Sequence, residues 1–409
     1  MKSTSKILFV FVAAFLFLTQ KVESALPRWV EEFAKYWRYS LEYFTEYNDN
    51  IFLTPSGLEE DVIQAVRQEI ELEIPGEKTF FFARFANTLP YYWEEDELVP
   101  SYDIETLFSF RPTDKLSLGV SNQFFKIDDS EVGTSLGDLV LSLGYWANTV
   151  RTEAKYELFN NTDLAVAWAF DRFDYDEEEF ALFIDRDVHD IDARLIHSLS
   201  SIFDVYGGYR FRDVAFDDLD NKDSESHILF TGAKWKWNGV LNLFSEIGYE
   251  EREFQNNTDV VTGTSVAGSA RRHHDNFNYR IGLETNFSRF HTFSLYYDDR
   301  LYESSRSEFT NYQGKTVGLS LRSFLTKKTI LFFDFLAQRQ DFNGKDLIVS
   351  LFGSSGADTD VFRYAATLRR ILTPWLHCDI GYVFTKRNTD FVDEDSDNHQ
   401  IRIGFKIIF

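Results

Sequence analysis

From Tyr36 onward the chain breaks into segments of roughly ten to fifteen residues in which polar and apolar positions alternate. In 375–387, Leu376, Cys378, Ile380, Tyr382 and Phe384 fall on one side, and His377, Asp379, Gly381 and Thr385 on the other. In 276–286, Tyr279, Ile281 and Leu283 oppose Asn278, Arg280, Gly282 and Glu284; in 359–370, Phe362, Tyr364, Ala366 and Leu368 oppose Arg363, Ala365, Thr367 and Arg369. A period of two marks strands with one apolar and one polar face. The segments predict eighteen strands. The first nine are 36–47, 60–74, 78–90, 101–111, 115–126, 148–159, 163–175, 188–199 and 202–215. The others are 225–236, 239–253, 276–286, 290–302, 312–322, 328–341, 359–370, 375–387 and 398–409. Sixteen is the alternative. The apolar stretch Leu139–Leu143 stays within a loop, because a further strand would make the number odd.

The breaks between segments alternate in kind. Short ones carry turn residues: Pro75-Gly76-Glu77, Pro112-Thr113-Asp114, Asn160-Asn161-Thr162, Asn238-Gly239, Ser288-Arg289, Thr326-Lys327 and Thr373-Pro374. Long ones are acidic, with Glu94-Glu95-Asp96-Glu97, Asp176-Glu177-Glu178-Glu179, Asp217-Asp218 and Asp393-Glu394-Asp395. Short turns at one rim and long loops at the other are the signature of an up-and-down membrane barrel, and an even strand number returns both termini to the turn rim. The last strand adds to this. Ile401, Ile403 and Phe405 oppose Arg402, Gly404 and Lys406, and the run ends apolar at Phe409. That pattern resembles the closing strand of bacterial outer-membrane barrels, with Phe409 as the assembly signal. The predicted fold is all-β, a transmembrane antiparallel up-and-down β-barrel.

Composition fits this reading. Aromatic residues make up 17 % of the chain, with 42 Phe and 20 Tyr, yet the mean hydropathy is negative. Soluble proteins rarely expose so much aromatic surface, whereas a lipid-facing wall around a polar lumen accommodates both facts. Lys2 and Lys6, the apolar run Ile7–Leu18 and Val22-Glu23-Ser24 read as a signal peptide over 1–24. The run is too short for a membrane-spanning helix. Residues 25–35 then form a periplasmic lead-in and 36–409 the barrel. The net charge of −24 disfavours nucleic acid as a partner. The single cysteine, Cys378, excludes an internal disulfide and reads as a small hydrophobe.

Tyr47-Asn48-Asp49-Asn50-Ile51-Phe52, followed by Glu60-Asp61-Val62, resembles the opening of the β-barrel porin 2 family. Asp171-Arg172-Phe173-Asp174-Tyr175 and Arg186-Asp187-Val188-His189 are similar to another recurring element of it. The resemblance spans roughly 36–409 and implies an outer-membrane barrel associated with exopolysaccharide export. It implies no catalytic residue.

The alternation assigns Arg210, Arg212, Lys234, Lys236, Arg280, Arg322, Arg363, Arg369 and Arg402 to the lumen. Glu71, Glu73, Asp103, Glu105, Glu153, Glu157, Asp192 and Glu246 join them as acidic counterparts. A basic wall facing an acidic one would set up a transverse field for polar solutes; lumen charges that simply pair would stabilise the wall. The acidic loops lack the ligand spacing of a calcium site, and His273-His274 reads as part of a mobile loop. Asp187 with His189 could form half of a catalytic pair but lacks a nucleophile motif. No enzyme activity, cofactor, metal or plug domain is therefore expected. The expected partners are outer-membrane lipid and lipopolysaccharide, the barrel-assembly machinery and polysaccharide. The expected role is a pore or export conduit, the alternative a structural or surface-interaction barrel with its lumen closed by loops.

Overall fold

The computed structural model describes residues 35–50, 60–93, 100–127, 144–175, 185–217, 223–254, 273–288, 290–303, 311–342, 357–390 and 395–409. Eighteen strands account for nearly all of them. They are β1 (Trp37–Asn48), β2 (Asp61–Pro75), β3 (Thr79–Tyr92), β4 (Ser101–Thr113), β5 (Leu116–Ile127) and β6 (Tyr145–Phe159). Then come β7 (Thr162–Tyr175), β8 (Arg186–Ser200), β9 (Phe203–Phe216), β10 (Ser224–Trp237), β11 (Leu241–Phe254) and β12 (His273–Ser288). The circuit ends with β13 (His291–Glu303), β14 (Asn311–Thr326), β15 (Thr329–Phe342), β16 (Ala357–Thr373), β17 (Leu376–Thr389) and β18 (Ser396–Ile408). Each strand pairs antiparallel with the next. β18 pairs with β1 from Ser40↔Ile408 to Asn48↔Gln400, so the sheet is a closed barrel without edges.

Local chemistry explains the turn rim. Asn238 and Gly239 both have positive φ (51° and 66°), and Val240 N–H donates to Trp237 O at 3.0 Å. That is the type I′ geometry whose twist matches paired strands. Asn161 sits at φ 67° in the β6–β7 turn. At the opposite rim the connections are long, and the predicted acidic loops fall there. Residues 94–97, 176–179, 218 and 393–394 lie outside the described residues, as do Leu139–Leu143 and the predicted segment 1–24.

Several strands outrun the sequence expectation, because ladder hydrogen bonds continue past the apolar band into polar sequence. β12 shows this most clearly. His273 and His274, expected in a loop, open the strand opposite Glu253 and Arg252. With a rise of about 3.3 Å per residue, strands of 12–17 residues exceed the roughly 9–11 that a tilted strand needs to cross a bilayer. The surplus extends the wall toward the loop rim.

Candidate functional site

The register passes one face unbroken from strand to strand. Arg38, Glu71, Arg84, Glu105 and Gln123 lie in a single row, as do Asp163, Ile196, Tyr206, Gly232 and Glu246. The other face is apolar. Ile401, Ile403, Phe405 and Phe409 are each about half exposed, and Phe277, Tyr279 and Ile281 repeat this on β12. Cys378 belongs to the same outer face, opposite Phe405. Phe409 N–H donates to Tyr39 O at 2.9 Å, and the two rings lie 5.6 Å apart across the seam. The apolar face is the exterior of a membrane-spanning barrel; the polar face lines its lumen.

Most lumen charges find partners on the wall itself. Asp192 accepts hydrogen bonds from Arg194 (2.7 Å) and Arg210 (2.8 Å), and Asp190 takes Arg212 in two bonds of 2.8 and 2.9 Å. Arg369 is held by Asp379, Lys236 by Asp204, and Arg402 by Glu42. Arg84 bridges Asp103 (2.7 Å) and Glu105 (3.3 Å), and Arg38 lies 3.9 and 3.8 Å from Glu71 and Glu73. Short, two-pronged guanidinium–carboxylate contacts of this kind satisfy both partners and fix their orientation.

Four of the bases are held differently. Lys234 sits over Tyr206 (5.8 Å), Arg280 over Phe244 (5.5 Å), and Arg322 over Phe324 and Phe332 (5.3 and 5.8 Å). Arg363 lines a recess between β13 and β16. Among the described residues none of these four has a carboxylate oxygen within 4.0 Å. Glu153 and Glu157 on β6, on the far side of the circuit from β14 and β16, are likewise without an ion pair among the described residues. Pairing removes most of the lumen charge; what remains on β10–β16 is of both signs, because Glu284 on β12 and Asp334 on β15 also lack an ion pair among the described residues. Glu246 accepts the Tyr206 hydroxyl at 3.1 Å.

The lumen changes character toward the loop rim. Inner-face residues Asn48, Asp61, Ala147, Val214, Arg252, Tyr312, Val361 and Asn398 are buried, so the upper wall is enclosed over much of its circuit. Tyr145, Phe173, Val188, Val214 and Phe216 pack together on β6–β9, and Tyr302, Tyr312 and Phe342 on β13–β15. Between these clusters, Arg252 donates to Glu250 (2.7 Å) and Ser226 (2.9 Å), and Glu303 reaches Arg252 (3.4 Å) and Arg212 (3.6 Å). The Arg212–Glu303 contact joins strands four apart in sequence order, so it ties together wall segments that share no backbone ladder.

The sequence motifs of the opening strand also gather at this rim. Asn398 Nδ2 donates to Asn48 Oδ1 (3.0 Å) and Asn50 O (2.7 Å), Asn50 Nδ2 to Asp397 O (3.0 Å), and His399 N–H to Asp49 Oδ1 (2.6 Å). Together they clasp β1 to β18. Asp61 Oδ1 accepts the backbone N–H groups of Val62 and Trp93, and Arg172 links Asp187 (3.1 Å) with Asp217 (2.6 Å). Asp187 is thus engaged by an arginine, while the His189 ring packs 4.8 Å from Phe170 on the exterior; nothing among the described residues joins them as a dyad. Beside this group Asp185 accepts the Tyr175 N–H (2.9 Å), and desolvation, with Asp174 and Asp217 nearby, pushes its carboxyl up to about 6.

Glu42, Glu69, Arg84, Arg194, Arg252 and Asp379 belong to the lumen without having been singled out as site residues from the sequence. Extending the period-two parity along each strand would have placed all six. Their partners were not accessible in that way, because pairing depends on register. No family model matches the chain, and no curated protein matches it. Solved structures similar to it include OccAB3 of Acinetobacter baumannii, at 12 % identity and a TM-score of 0.45, over 91 % of this chain and 99 % of that one. OccK2 (OpdF) of Pseudomonas aeruginosa, in complex with glucuronate, shows 9 % identity and a TM-score of 0.47 over 92 % and 99 %. The siderophore receptor PirA of Pseudomonas aeruginosa shows 8 % identity and a TM-score of 0.42 over 91 % and 80 %.

Proposed function

We propose that this chain is an outer-membrane, porin-like pore that passes polar solutes, with polysaccharide as its cargo and the long-loop rim facing the cell exterior. One observation carries the reading: a closed eighteen-strand wall whose outside is apolar and whose inside is polar and mostly charge-paired. Barrels of about 16–18 strands leave room for an aqueous channel. A wall built to be packed shut would not need polar groups along so much of the lumen, since buried polar groups cost free energy unless paired. The unpaired charges, among them Lys234, Arg280, Glu284, Arg322, Asp334 and Arg363 on β10–β16 and Glu153 and Glu157 on β6, line the channel and act on the polar solutes that pass. Lipopolysaccharide around the exterior and the barrel-assembly machinery, engaged through Phe409, complete the proposed set of partners.

A second reading, a barrel closed within its upper half, is favoured by one feature: the enclosed belt from Asn48 round to Asn398, tied by Arg212 and Glu303. Swelling of vesicles containing the purified protein separates the two. A pore admits sugars at rates graded by their size, whereas a closed barrel gives the rate of empty vesicles for every sugar.

A further inference from the structure

Two recesses lie side by side on the lumen wall between β12 and β16, with volumes of about 330 and 210 Å³, and they share Ser320 and Asp334. Their combined size is that of a small-molecule site. What distinguishes this stretch of wall is unspent bonding capacity. Along much of the lumen wall the same residue types are paired with one another, as in Arg210 with Asp192 or Arg369 with Asp379. Here Glu284, Arg322 and Arg363 form no ion pair among the described residues, and Asp334 takes only the Ser320 hydroxyl at 2.6 Å.

The floor of the recess has a particular construction. Gly318 faces Tyr296 across the β13–β14 ladder, and a Cβ at Gly318 would overlap the Tyr296 ring. The missing side chain therefore lets the ring lie flat on the wall. Among the described residues no ring or cation covers its other face. Ala365 lines the neighbouring floor and leaves the Arg363 side chain beside an open space.

We propose that this groove is a saccharide-binding site, which rests on the pore reading and deepens it by assigning the recognition of the sugar chain to named residues of the wall. Two carboxylates (Glu284 and Asp334) and two guanidiniums (Arg322 and Arg363) cancel in charge, so the site has no preference for a net anion or cation. Together they offer alternating acceptors and donors. A sugar hydroxyl both donates and accepts, and vicinal hydroxyls match the two-pronged geometry of a carboxylate or guanidinium. The C–H face of a pyranose lies on an aromatic ring, which Tyr296 supplies. An uncharged sugar chain satisfies this set better than a carboxylate or phosphate, either of which would meet Glu284 and Asp334 with like charge.

Isothermal titration of the full-length barrel in detergent, with maltohexaose as the probe and glutarate as the anionic comparison, tests the site without requiring conduction. The expected result is saturable maltohexaose binding, weakened about tenfold by Glu284→Gln or by Tyr296→Ala, as loss of a desolvated partner implies. His227→Phe on the exterior serves as a control and leaves binding unchanged. Each variant is first checked for the strand content of the parent by circular dichroism; should Tyr296→Ala fail that check, Glu284→Gln and Arg363→Gln carry the test. Binding of glutarate but not maltohexaose, binding of neither, or maltohexaose binding indifferent to the groove substitutions would overturn the proposal. Conductance measured on the same preparation reports on the pore reading separately.

Discussion

Arg252 holds a full charge with 1 % of its side chain exposed, between Glu250 and Glu303 and beside Ser226. Taking such a charge out of water is costly, and removing its partner leaves the cost without the compensation. Arg252→Met should therefore lower barrel stability by about 3–5 kcal/mol, read from the urea midpoint of unfolding in vesicles. Adding Glu303→Gln to that variant should recover part of the loss, because the two groups belong to one network; additive losses would show that they do not interact. Asp185 gives a prediction of opposite sign. Its carboxyl is raised from 3.8 to about 6, so between those values the folded chain keeps a proton that the unfolded chain has released. The favourable contribution is thus full below 3.8 and lost as pH rises through 6. Carbon-detected NMR of the Asp185 carboxyl should show a midpoint near 6. Asp185→Asn should flatten the fall of stability across the same window. A midpoint near the ordinary carboxylate value would contradict the desolvation argument.

Among the strands, the β1–β18 seam depends on the clasp of Asn48, Asn50, Asp49 and Asn398 at the loop rim and the Tyr39–Phe409 contact at the turn rim. Asn398→Ala removes two buried hydrogen bonds, to Asn48 Oδ1 and Asn50 O, at about 1–3 kcal/mol in total. Amide exchange should speed up along β1 and β18 and stay slow along β13 and β14. Uniform acceleration would mean that the clasp has no local role. Phe409→Ala should reduce the yield of assembled barrel more than it changes any lumen property, since its side chain is on the exterior. The parity of each strand was legible in the sequence, because alternation alone decides which side chains share a face. Strand ends were less so: His273 and His274 lie in polar sequence, and their pairing with Glu253 and Arg252 rests on backbone hydrogen bonds that no side-chain pattern reports. The β8–β9 turn at Ser201 and Ile202 carries neither Gly nor Pro and so gave only a weak break in the pattern.

At the scale of the whole molecule, the strand count, closure and two-faced wall follow from patterning repeated eighteen times. The enclosure of the upper lumen does not. It arises from contacts such as Arg212 with Glu303, whose strands are remote in sequence and meet only because the sheet curves. The pairing of lumen charges was equally hidden, since Asp192 serves both Arg194 and Arg210 only in the observed register. Two effects compete in the lumen: polar, charge-bearing walls that favour water, and an enclosed belt that narrows the passage. Planar-bilayer recording of the purified full-length protein measures which prevails. Discrete conductance steps are expected, with a cation-to-anion preference that shifts when Arg280, Arg322 and Arg363 are replaced by Gln, because those bases have no ion-pair partner among the described residues. Electrical silence across salts and voltages, from protein shown to be folded and inserted, would contradict the pore reading.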